Sequence, residues 1–386
     1  MLKLSVFPSV PSPVVPHNGH AVLRLLSALL IALLLTGCAD LGYYVQSVTG
    51  HLEMMRASTS IDQLHDDPHT PQQLQDRLAL SQRIRRFAVT DLALPDNASY
   101  RRYADLKRRA VVWNVVAAPP WSLTLKTWCF PVAGCVGYRG YFDETEARAL
   151  ATQLRADGLE VSVYGVPAYS TLGWMNWAGG DPLLNTFIHY PEGELARMVF
   201  HELAHQVLYV KDDTRFNESF ATAVERIGSA RWMAQHASRQ AQAEFAVIES
   251  RRAQFRALTR STRRALEALY QEGEAAEAAA PGEAQRARKA QVMQDFRAQY
   301  AALKTAWAAD SGGPSLAFGG YDAWVANANN ASFGARASYD DLVAGFEALF
   351  ARESQGATGA LAWQRFYDSV KQLAELPRQQ RLDALQ

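Results

Sequence analysis

The sequence predicts a mainly α protein of the α+β kind. It is helix-rich, with one small sheet ahead of a buried helix and one long helical hairpin behind it. Three observations lead there. Apolar residues recur at three- and four-residue spacing along most of the chain, the period of a helix face. Strand signals are confined to about residues 119–190. Residues 235–310 are dense in Ala, Arg, Glu and Gln and broken at Pro281-Gly282, which suits two antiparallel helices and a tip.

The elements follow in order. Lys3 and Arg24 precede a leucine-rich run, Leu25 to Leu35, too short for a typical membrane span and the size of a signal-peptide core. It ends in Leu35-Thr36-Gly37-Cys38, which resembles a bacterial lipoprotein signal. Cleavage before Cys38 would leave a lipidated N-terminus. Ala39, rather than Asp, follows the cysteine, which by the same resemblance favours an outer-membrane protein facing the periplasm over an inner-membrane one. Residues 38–118 read as helical, including SYRRYADLKRRAVVWNVV, with Thr70 and Pro71 at one helix start. Pro119-Pro120 ends that pattern. Short Trp-, Tyr- and Gly-containing runs follow, then a helix at about 143–157 and a strand at 159–166. Tyr169 to Gly173 is expected to be extended, a candidate edge strand for holding a substrate. A helix starts after Pro191, a short turn covers 211–214, and a second helix runs over about 214–234. After the hairpin and a Gly/Ser-rich loop at 311–320, three more helices are expected around Tyr321, Tyr339–Arg352 and Ala360–Ala374.

Composition excludes little. The net charge is zero, so there is no electrostatic footprint for nucleic acid. Two cysteines besides Cys38, Cys129 and Cys135, flank Pro131 and Gly134; outside the cytoplasm such a pair is expected to oxidise to a disulfide.

The chemistry concentrates in His201-Glu202-Leu203-Ala204-His205. Histidines four apart stand on one helix face, one turn apart, and two imidazoles there can share one metal ion. The pattern H-E-x-x-H is that of zinc metallopeptidases, with the Glu beside the open coordination position. Val199 to Val207 has no charge apart from Glu202 and, potentially, the histidines, which suits a helix buried beneath an active site. A catalytic zinc takes three protein ligands, and Glu218, near the start of the next helix, is the expected third. Glu225, two turns further on, competes for that place but better suits orienting a histidine, and Asn217, Asp212 and Asp213 are further candidates around the ligands. Glu202 is the expected general base. Tyr339, Tyr321 and Tyr169 are candidate donors to the developing oxyanion, and sequence does not choose among them.

HELAH followed by Asn217-Glu218-Ser219-Phe220-Ala221 resembles the gluzincin metallopeptidases, and NESFA approaches the N-E-G-F-A run of the aminopeptidase N-like enzymes. YRGYF (138–142), AYSTLGW (168–174), DPLLNT (181–186), FHELAHQ (200–206) and FNESFAT (216–222) are together similar to the bacterial predicted-aminopeptidase lipoprotein family, over most of the chain from Tyr43 to about Phe346. That resemblance implies one Zn2+ per chain, His201, His205 and Glu218 as its ligands, Glu202 as the base, and peptide substrates. Two departures stand out. His205 and Glu218 are closer in sequence than in aminopeptidase N-like enzymes, and Gly173-Trp174-Met175-Asn176 lacks the Glu that binds a substrate's amine in their G-x-M-E-N run. The expected regions are a signal peptide (1–37), an N-terminal helical region (38–118), a zincin-like catalytic core (119–234), the hairpin (235–310) and a C-terminal helical region (311–386). The reading is a membrane-anchored zinc aminopeptidase of the bacterial envelope. The alternatives are a metal-binding envelope lipoprotein without peptidase activity and a zinc hydrolase of a non-peptide amide.

Overall fold

A computed structural model describes residues 42–130, 134–173, 176–275, 282–309 and 321–386. The expected signal peptide and Cys38 lie outside the described residues, as do Trp174, Met175, most of the hairpin tip and the loop at 311–320. The protein is mainly α with small sheets, and residues 51–386 form one compact unit.

Helix α1 (42–56) leads to strand β1 (Ser58–Ser60), a short helix α2 (Ile61–Asp66) and α3 (Gln72–Thr90), which starts directly after Pro71. The next segment departs from the expected helix. Within residues 99–118 the chain forms β2 (Arg102–Ala104) and β3 (Val112–Ala118). The reason is burial on both faces. Every residue from Asn114 to Ala118 is buried, so the strand reads as a continuous apolar run that periodicity does not separate from a buried helix. Its four valines between positions 111 and 116 suit the pleat.

A hairpin of β4 (Trp128–Phe130) and β5 (Gly134–Val136) pairs Cys129 opposite Cys135, and the two are joined by a disulfide. Strand β6 (Arg139–Tyr141), helix α4 (Glu144–Ala156) and strand β7 (Glu160–Val166) follow. Asp143 caps α4 by accepting from the Thr145 amide at 2.6 Å. Strands β6, β3 and β7 make one antiparallel sheet with β3 central, and α4 packs on β3 and β7 through Ala147, Ala151 and Leu154. A second sheet pairs β1 with β2, and β2 in parallel with β8 (Leu183–Leu184). The expected edge strand at Tyr169–Gly173 does not form. Leu172 and Gly173 have positive φ, and Asp181 pins the segment by accepting from the Thr171 amide and hydroxyl, so the chain turns here.

Helix α5 (Glu192–Ala204) and helix α6 (Thr214–His236) pack side by side and share the main core with α3. The hairpin is α7 (Arg239–Ala275) and α8 (Glu283–Ala309). Among the described residues the C-terminal region holds five helices rather than three: α9 (Asp322–Ala326), α10 (Asn330–Asp340), α11 (Val343–Glu353), α12 (Gly359–Ala374) and α13 (Arg378–Asp383). Helices α11 and α12 complete the main core, with Phe346 and Phe366 against Phe220. The hairpin has its own core, where Phe255 and Phe296 meet Phe333 and Trp324. Helix α10 lies against α6 and against strands β3 and β7, closing the space above the α5–α6 pair.

Candidate metal centre

Helix α5 buries Leu195, Val199, Phe200 and Leu203 completely, which leaves His201 and His205 on the one side not consumed by the core. Its first turn carries Glu192 and Glu194, favourable at the positive end of the helix dipole, and Trp232 donates to Glu192 at 2.9 Å. His205 is the C-cap residue, and only a short connection separates it from α6. Three devices hold that connection. Asn217 donates to the Val210 carbonyl at 2.7 Å and accepts from the Val210 amide at 2.8 Å. Asp213 caps α6, accepting from the Phe216 amide, and pairs with Arg381 of α13 at 2.7 Å; both side chains are buried. Asp212 accepts from the Cys135 amide at 2.5 Å, so the disulfide hairpin leans on the turn. A side chain at Gly134 would collide with Asp212 and Lys211, and its φ of +75° favours glycine. Asn217, Asp212 and Asp213, expected around the ligands, therefore shape the turn between the two helices.

The result brings His201, His205 and Glu218 together as a group that can hold a metal ion. The Nε2 atoms of the two histidines are 3.2 Å apart, and Glu218 Oε2 lies 3.3 Å from His201 Nε2 and 3.7 Å from His205 Nε2. Atoms bound at about 2.0–2.2 Å to one tetrahedral ion stand about 3.3–3.6 Å apart. The triangle thus fits such an ion with only small adjustment, and nitrogen and carboxylate oxygen are donors that zinc accepts. His201 turns its other nitrogen, Nδ1, to Glu225 Oε2 at 2.9 Å. A carboxylate only accepts, so Nδ1 carries a proton, and Nε2, once it gives up its own, is the nitrogen that faces the metal position. His205 Nδ1 is buried with no hydrogen-bond partner among the described residues.

Electrostatics follow from this crowding. Burial opposes charge on His201, but hydrogen bonds and charges from Glu218 and Glu225 outweigh it and raise its pKa well above the usual value. Burial, reinforced by His201, lowers His205 to about 4. Burial would raise Glu225 and Glu218, but cationic partners win in both: Arg197 above all takes Glu225 to about 2, and the two histidines lower Glu218. Glu202 is half-buried, and burial together with the charges of Glu218, Asp181 and Glu225 lifts it to about 7.

Of the three candidate tyrosines, Tyr339 on α10 reaches the centre: its ring stacks on His201, with centroids 6.3 Å apart. It is 38% exposed, and the charge of Glu218 holds its hydroxyl well above the usual phenol range. Tyr321 is held in the hairpin core instead, stacked on Phe255 with centroids 3.7 Å apart, because the aromatic cluster of α7, α8 and α9 captures it. Tyr169 packs on Phe142 and His51. Sequence reasoning missed Tyr209 and Tyr138. Tyr209 stands four residues after His205 and its ring meets the His205 ring at 6.5 Å. Burial first, then Glu218, raises both hydroxyls, Tyr209 to about 12. The four-residue spacing was a signal for Tyr209; Tyr138, which packs against the cluster of Val116, Ala118 and Ala331, carried none.

No curated protein and no solved structure matches this chain. One family model does, over residues 42–385, and its description is "Putative aminopeptidase". That span takes in both ligand helices, the disulfide hairpin, the helical hairpin and α13, so the chain belongs to this aminopeptidase-like family.

Proposed function

We propose that the protein is a zinc-dependent aminopeptidase, anchored by a lipid at Cys38 to the bacterial envelope and facing the periplasm from the outer membrane. The observation that carries the reading is the His201–His205–Glu218 triangle, of tetrahedral-ligand dimensions, on the same helix as Glu202. Family membership supports peptide hydrolysis. The N-terminal leader ending at Cys38 supports the anchor, and the Cys129–Cys135 disulfide supports an oxidising compartment.

His201, His205 and Glu218 hold the metal. Bound there, zinc supplies Lewis-acid polarisation of the scissile carbonyl and of the attacking water. Glu202 takes the water's proton and returns it to the leaving amine, the role of a carboxylate beside the open coordination position. Glu225 keeps His201 in the ligating tautomer. Tyr339, whose ring stacks on His201, serves as a donor to the oxyanion.

The test is metal analysis with a peptide-library digest. Wild type is expected to carry about one zinc per chain and to cleave peptides with free, not acetylated, N-termini. His201→Ala, His205→Ala and Glu218→Ala are each expected to lose zinc; zinc retained in Glu218→Ala but lost in Glu225→Ala moves the third ligand to Glu225. Zinc-loaded wild type inert towards every peptide refutes the peptidase reading and favours a non-peptide amide. Palmitate labelling that persists in Cys38→Ala refutes the anchor.

A further inference from the structure

Glu225 does not act alone. Its Oε2 faces His201, and its Oε1 accepts from Nη2 of Arg197, so both oxygens are engaged and the carboxylate plane is fixed. Arg197 sits on α5 four residues before His201, on the same face. Its other nitrogen, Nη1, donates to Glu249 of α7 at 2.7 Å. Glu249 also accepts from Arg252, whose Nη2 donates to Glu194 of α5 at 2.5 Å. The chain of charges alternates in sign, and its inner members are sheltered, with side chains of Arg197 and Glu225 only 8% and 14% exposed. The approach of α7 that makes this contact depends on Gly193. A Cβ there would lie 2.2 Å from the ring of Phe245 on α7.

We propose, resting on the metal-centre reading above, that Arg197 and Glu249 are positioning residues for His201, and that helix α7 of the hairpin thereby sets the affinity of the metal centre. The two-pronged guanidinium is the element that does this. It spans two carboxylates at once, and a planar fork fixes the orientation of each, which a lysine ammonium does not. Without Glu249, Arg197 has one anchor in place of two, and Glu225 is free to turn about its Oε1 contact. His201 then loses the acceptor that orients its ring. His205 offers no substitute, since its Nδ1 has no partner among the described residues. The charges on this stretch of α7 are thus engaged with helix α5.

The test measures zinc affinity by chelator competition and the melting of the metal-free protein, on the full chain. Glu225→Gln is expected to weaken zinc binding by about 10- to 100-fold, the usual cost of losing a ligand's hydrogen-bond partner. Arg197→Lys and Glu249→Gln, one step further out, are expected to weaken it by about 3- to 10-fold. Glu249→Asp, which keeps the charge, should recover part of the loss. Gln254→Ala, one turn on along α7, should change nothing. The decisive arm is the double variant. If Glu249 acts through Glu225, then Glu249→Gln adds no further loss in the Glu225→Gln background. Losses that multiply in the double variant, or a Glu249→Gln protein that melts earlier yet binds zinc as wild type does, overturn the relay and leave α7 a structural strut. Wild type with no affinity for zinc overturns the metal centre itself and the relay with it.

Discussion

Replacing Glu202 by glutamine separates the catalytic role proposed for this carboxylate from its effect on the fold. In the metal-free protein its pKa is about 7 against an ordinary value of 4.5, because burial and the charges of Glu218, Asp181 and Glu225 disfavour its ionised form. The folded state therefore holds more protons than the unfolded one between these two values, so stability falls as pH rises through that window and the full penalty is present above it. A displacement of this size corresponds to about 3 kcal/mol at about pH 8, and partial exposure reduces it to about 1–2 kcal/mol. Glutamine is isosteric, cannot ionise and removes the penalty. In a chelator, at about pH 8, Glu202→Gln should melt about 2–3 °C above wild type, and the gap should close as pH falls towards about 4. With zinc loaded, the same variant should lose about 10²- to 10⁴-fold in turnover at matched metal content. A variant that melts at or below wild type at about pH 8 would falsify the electrostatic argument, whatever its activity. Turnover equal to wild type would instead remove Glu202 from the proton path.

Zinc binding should release about one proton at neutral pH, because His201 is held protonated by Glu218 and Glu225 against its burial; calorimetry in buffers of different ionisation enthalpy measures this, and no buffer dependence refutes it. Replacing Cys129 and Cys135 by serine opens a loop of sequence separation 6 and should cost about 2 kcal/mol in a denaturant titration; non-reduced peptides of the wild type should show the pair joined, and free thiols would contradict it. Phe200→Ala, beside His201, fully buried and 6.0 Å from Phe87, should cost about 3–5 kcal/mol; a loss under about 1 kcal/mol would mean the core beneath the ligand helix repacks freely.

Local chemistry was the legible part. A five-residue run places two histidines and a carboxylate on one helix, and Glu218 follows after a turn, so the triad needed no knowledge of the rest of the fold. The hairpin and the helix–turn–helix over 192–236 were legible for the same reason, since their periodicity is local. Residues 102–118 were not, because a strand buried on both faces loses the alternation that marks one. Nor was the choice among tyrosines. Tyr321 and Tyr339 are equally plausible in sequence, and only the aromatic cluster around Phe255 decides that one is taken into a core and the other left beside His201. Arg197 and Glu249 look like ordinary helix charges until two helices distant in sequence are packed at a fixed angle.

The pair between Asp213 and Arg381 has a consequence for how the protein comes into being. A carboxylate shut in the core at the start of the second ligand helix is answered by a cation 168 positions further along the chain. A chain halted before Arg381, by incomplete translation or by a protease, leaves that carboxylate without its counter-charge, a large cost for a buried ion. Residues 201–218 would all be present, yet the helix bearing Glu218 would have a loosened start. The pair ties the start of the helix that carries Glu218 to α13, so local order around the His201–His205–Glu218 group is completed only once the segment containing Arg381 has docked.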